Sequence, residues 1–112
     1  MAVSADHLRA LAMAQRGTEE RQEGGMALFV AGDRIFAALV SETSAILNLR
    51  EDQRDWLMGQ SDAFGNADGR TSVDLARVEL ELLADFVVAA HANVTKNGLA
   101  ALGALMKGVA NG

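Results

Sequence analysis

Met26-Ala27-Leu28-Phe29-Val30-Ala31-Gly32-Asp33-Arg34-Ile35-Phe36-Ala37-Ala38-Leu39-Val40 sets two apolar runs on either side of Gly32-Asp33. Two such runs separated by two residues, the first a glycine, signal a β-hairpin, because glycine supplies the positive φ that a type II′ turn requires at its first central position. Outward from this hairpin, the polar run of residues 18–25 (Glu19, Glu20, Arg21, Gln22 and Glu23, closed by glycine) reads as a short exposed edge strand. Residues 41–44 form a polar turn and 45–49 a further strand, completing a meander of three or four antiparallel strands.

Helical spacing frames this meander. Ser4 is placed to cap a first helix carrying Leu8, Leu11, Ala12 and Gln15, which Gly17 stops. Residues 51–60 read as a second helix with Trp56 and Leu57 inward and Arg54 and Asp55 outward. Short strands at 63–65 and 70–75 flank the turn-rich Asn66-Ala67-Asp68-Gly69, and Thr71, Val73 and Leu75 alternate with Ser72 and Asp74 as a half-buried strand does. Residues 78–94 make the clearest helix: Leu82, Leu83, Phe86, Val87, Ala90 and Val94 share one face, while Glu79, Glu81, Asp85 and Asn93 face water. The expected class is α+β, two layers, an antiparallel sheet with helices packed on one side, in the order helix, three strands, helix, two strands, helix. Residues 1–97 form a single domain. Residues 98–112 are an apolar tail with Leu99, Leu102, Leu105, Met106 and Val109 at near-helical spacing, interrupted by Gly103 and Gly108, each worth roughly 1 kcal/mol against a helix. Such a tail is either frayed in solution or ordered by docking, on its own domain or on a second subunit.

Composition narrows the function classes. With no cysteine among 112 residues, disulfides, thiolate catalysis and Cys-ligated metals are excluded, and a reducing cytoplasm is the expected location. The first residues show no basic stretch leading into an apolar one, and no run approaches the roughly 20 apolar residues of a membrane span. A net charge of −5 repels phosphate backbones, so nucleic acid is disfavoured as a partner. His7 and His91 have no metal-ligand spacing and read as solvated or helix-end residues. Asn66-Ala67-Asp68-Gly69 fails as a calcium loop, since Phe64 and Leu75 stand where ligands are needed. Paired carboxylates at Glu19-Glu20, Glu51-Asp52 and Glu79/Glu81 lie in polar runs, and no hydroxyl nucleophile has a neighbouring base. Trp56 and the four phenylalanines read as core. The expectation is a non-enzymatic protein with no cofactor and no metal.

Several ordered blocks resemble the MmcQ/YjbR family: Gly17-Thr18-Glu19-Glu20, the stretch from Phe29 to Ala37, Asn48-Leu49 leading into Gln53 and Leu57, Phe64, Val73-Asp74-Leu75, and Ala89-Ala90-His91-Ala92-Asn93-Val94. The resemblance spans roughly residues 8–97 and rests on the order of the blocks. It implies the two-layer fold shared with CyaY-like and secretion-chaperone-like domains, and a double-wing mode of DNA binding. On this chain the wings fall at Gly32-Asp33 and Asn66 to Gly69, and the anion or DNA contacts at Arg34, Arg50, Arg54 and Arg70. The chain departs from the family in three places. Arg50-Glu51 replaces a hydroxyl residue followed by proline at the start of the second helix, leaving only Gln53 of a capping box; Ala92 replaces a bulky residue; and the Asn66 turn lacks tryptophan and basic residues. The expected partner is therefore another protein or a second copy of the chain as a homodimer, with DNA the alternative.

Overall fold

The structure, a computed structural model, describes residues 3–95; the tail expected at 98–112 lies outside them. Helix α1 (Ala5–Met13) leads into strands β1 (Glu19–Glu23), β2 (Met26–Ala31), β3 (Arg34–Leu39) and β4 (Ser44–Leu47). Helix α2 (Glu51–Gln60), strands β5 (Phe64–Ala67) and β6 (Arg70–Asp74), and helix α3 (Leu80–Val94) follow. The class is α+β as expected, but four strands precede α2, because the polar run after Gly17 pairs along its whole length with β2. All six strands join one antiparallel sheet in the order β1-β2-β3-β4-β6-β5. Charged β1 suits an edge, where unpaired backbone groups must not recruit another chain.

The central turn is not type II′. Gly32 (φ 58°) and Asp33 (φ 64°) both take positive φ, which defines type I′; the short polar Asp33 side chain tolerates the left-handed region that most residues avoid. Gly24-Gly25 and Asp68-Gly69 repeat this turn, so all three two-residue hairpins share one geometry matched to strand twist. The register then slips: Phe29 pairs with Ala37 but Val30 with Ile35, leaving Phe36 as a bulge residue. Alternation alone would send Phe36 and Ala37 to opposite faces. The bulge instead puts both into the helix-side core.

That core joins Phe29, Phe36, Leu47, Val73 and Leu75 from the sheet side to Leu8 and Ala12 of α1, Leu57 of α2, and Leu83, Val87, Ala90 and Val94 of α3. Helix α2 is rotated from expectation. Arg54 (7 % exposed) and Leu57 face inward, three residues apart on one helical face, while Trp56 is 52 % exposed. Trp56 lies about 100° around the helix from Leu57, so only one can point at the sheet, and Trp56 stacks on Phe86 instead (centroids 5.8 Å, planes 20° apart).

Candidate functional site

Both hairpin tips, Gly32-Asp33 and Asp68-Gly69, fall at one end of the sheet, since β3 and β6 each start there and run the same way. The four arginines gather at this end but do not form one face. Arg34 starts β3 opposite Ala31 on the helix side, and Arg70 starts β6 on the other side. Arg50 is exposed and holds Asp52 through Nε to Oδ1 (3.1 Å) and Nη2 to Oδ2 (3.3 Å). That hydrogen bonding keeps the Asp52 carboxyl below the ordinary carboxylate range and raises the Arg50 guanidinium. Arg54, expected outward, is buried under the second tip: Nη1 donates to the Gly69 carbonyl (2.9 Å), and Nε has Asp55 at 3.6 Å but no hydrogen bond among the described residues. The first tip is backed by α3, for a Cβ on Gly32 would stand 3.2 Å from the Val94 carbonyl oxygen.

Both histidines hold the fold. His7 completes a capping box in which Ser4 Oγ accepts from the His7 amide (3.2 Å) and His7 Nδ1 accepts from the Ser4 amide (3.0 Å). Nδ1 is therefore unprotonated in this arrangement. His91 Nε2 donates to the Arg16 carbonyl (2.8 Å) while its ring meets Phe36 edge-on at 5.2 Å. Asn93 does not face water: its Nδ2 donates to the Asn48 carbonyl (3.1 Å) and to Gln53 Oε1 (2.9 Å), which also accepts from the Arg50 amide (2.9 Å). Arg50 has no acceptor to return that bond, so half a capping box starts α2. The sequence blocks around Asn48, Gln53 and Asn93 thus meet in space as one polar tie.

On the sheet face away from the helices, a second apolar cluster joins Leu28, Val30 and Ala38 with Met26 and Ile46. It contains strand residues alone among the described ones. A groove of about 380 Å³ runs along it, lined by Met26, Leu28, Ile35, Ala38 and Ile46, with Glu23 and Arg70 among its polar margins. The sheet face not covered by helices is one of the two interfaces expected from the sequence, and β2, apolar at every position, carries the pattern of a strand covered on both faces.

Two further hollows are shallower in chemistry. One between α2 and α3 exposes the Trp56–Phe86 stack beside Asp52 and Asp85. The other, lined by Thr43, Ser44, Asp62, Ser72 and Asp74, is polar, but Asp74 already accepts from the Ala76 amide and faces Arg77 at 3.5 Å. Among the described residues no group of three His, Cys, Asp or Glu could hold a metal ion, and no helix is long and apolar enough to cross a membrane. Set against known proteins, the chain matches no family model, no curated protein and no solved structure.

Proposed function

We propose that this chain is a small, cytoplasmic, non-catalytic association module of MmcQ/YjbR type whose working surface is the helix-free sheet face. The observation that carries this reading is the apolar groove over Met26, Leu28, Ile35, Ala38 and Ile46. Apolar surface gathered on one face gains about 25 cal/mol for each Å² withdrawn from water, the driving force for association. The engagement of both histidines in structural hydrogen bonds supports a binding role over a catalytic one. The partner is an apolar protein segment or the same face of a second copy.

Sedimentation velocity over a concentration series tests the homotypic form. The chain shifts to heavier species as concentration rises, whereas Ile35→Glu, at a side chain 46 % exposed and so tolerant of change, stays monomeric. A single light species for both at every concentration overturns self-association. The double-wing DNA reading has one observation in its favour, the placement of both tips at one end. It is the weaker reading, because each tip carries an aspartate, Asp33 or Asp68, Arg50 is paired and Arg54 is buried. Its test is anisotropy of a labelled duplex at low salt, where binding that falls steeply as salt rises supports it and an unchanged signal dismisses it.

A further inference from the structure

Trp56 is 52 % exposed although it stacks on Phe86. A stack covers one face of an indole and leaves the rest of the ring open. Here the open part gives onto a hollow of about 460 Å³ between α2 and α3. Asp52 stands one helical turn before Trp56 on α2; on α3 Asp85 adjoins Phe86, and Ala89, a turn further on, is too small to fill the space. Among the described residues that line it, the hollow has two aromatic rings, two carboxylates and no cation. Charge around it is one-sided too. Glu51 and Asp55 accompany Asp52 on α2, and Glu81 lies one turn before Asp85 on α3. The nearby arginines are occupied, Arg50 with Asp52 and Arg54 with the Gly69 carbonyl, and Asp85 enters no ion pair among the described residues. A cation entering the hollow is drawn both by the carboxylates and by the electron-rich ring face.

We infer that this hollow is a docking site for an arginine side chain of a partner protein, its guanidinium stacked on Trp56 and ion-paired with Asp85. Arginine suits the site better than lysine for three reasons. Its planar guanidinium lies flat on an aromatic ring, presents two N–H groups to one carboxylate, and gives up water more readily than an ammonium. Asp52, already bonded to Arg50, strengthens the negative field and leaves Asp85 as the free acceptor. The hollow is on the helix side of the sheet, where Phe86 packs against the main core, and the apolar groove is on the other side. It is therefore a second contact, independent of the groove.

Trp56 is the only tryptophan of a chain without tyrosine, so indole fluorescence reports on this hollow alone. The full-length protein is titrated at low salt, up to millimolar peptide, with an acetylated and amidated Gly-Arg-Gly-Arg-Gly peptide. Its lysine counterpart and its counterpart with citrulline, the uncharged isostere of arginine, are titrated in parallel. The arginine peptide changes the Trp56 emission saturably, the lysine peptide binds about threefold more weakly, and the citrulline peptide gives no saturable change. Asp85→Asn, at an exposed position, weakens the arginine peptide by about threefold. Trp56→Leu, followed through the amide shifts of Asp85 and Phe86, abolishes the binding while the rest of the amide spectrum stays in place. An equal response to the arginine and citrulline peptides, equal affinity for the lysine peptide, or unchanged affinity in Asp85→Asn overturns the inference. So does free arginine binding as tightly as the peptide, which makes a small molecule the occupant. None of these outcomes bears on the sheet face, which is judged by the sedimentation of Ile35→Glu.

Discussion

Thr71 is fully buried on the helix side of β6, and its hydroxyl has no hydrogen-bond partner among the described residues. A buried polar atom without a partner keeps its desolvation penalty with nothing to offset it. Thr71→Val, which keeps the branched shape and β propensity, is expected to stabilise the domain by about 1 kcal/mol, read as a higher urea midpoint with an unchanged slope. A lower midpoint shows that the hydroxyl is satisfied in solution. Arg50 poses a different residue-scale problem, because it sits at a helix N-cap with a side chain that can only donate. Arg50→Thr supplies the missing acceptor and raises the midpoint at neutral pH. Its pH dependence follows from Asp52, whose carboxyl is held low by Arg50. A lowered folded-state value stabilises above the unfolded value, near 4, and that contribution disappears as pH falls through the folded value. The margin of Arg50→Thr over the parent chain therefore widens in acid, where the parent has lost its ion pair. Carboxyl titration by NMR should also show Asp52 returning to the ordinary range in the variant, and an unmoved Asp52 rules out the guanidinium as the cause.

At the scale of elements, the hairpin at Gly32-Asp33 was legible because its signal is local: apolar runs, a two-residue gap and a glycine. Its turn type was not, since a glycine at the first position fits both II′ and I′, and only the conformation of Asp33 decides between them. The bulge at Phe36 was hidden for a related reason. In an apolar run, shifting alternation by one residue leaves the pattern looking the same. Helix α2 was misoriented because a tryptophan outweighs an arginine on any hydropathy scale, whereas the structure buries the Arg54 stem and gives its head the Gly69 carbonyl. Gly32 is where element and packing meet. Gly32→Ala combines a positive φ, worth roughly 1–2 kcal/mol against an L-residue, with a Cβ 3.2 Å from the Val94 carbonyl oxygen. It is expected to lower stability by about 2 kcal/mol in thermal or urea unfolding. Asp33→Asn at the next position should be close to neutral, because asparagine tolerates the left-handed region equally well. Equal effects at the two sites would deny the close approach of α3.

For the whole molecule, the helices are held to the sheet by more than apolar burial. Polar ties run from layer to layer: Arg9 to Glu20 at 2.9 Å, His91 to the Arg16 carbonyl, and Asn93 to both the Asn48 carbonyl and Gln53. The Asn93 tie joins α2 and α3 to the residue that follows β4, close to the end where both hairpin tips lie. Asn93→Ala removes two hydrogen bonds, and at about 1 kcal/mol each it should lower stability by about 2 kcal/mol. Its particular signature is coupling. Gln53 Oε1 accepts from both Asn93 and the Arg50 amide, so Gln53→Ala loses the same tie together with the start of α2. A double-mutant cycle should then return a coupling of about 1 kcal/mol, because the second substitution finds the shared bond already gone. Strict additivity in that cycle would mean that Asn93 and Gln53 share no bond in solution, and that α2 and α3 are not tied to each other at this point.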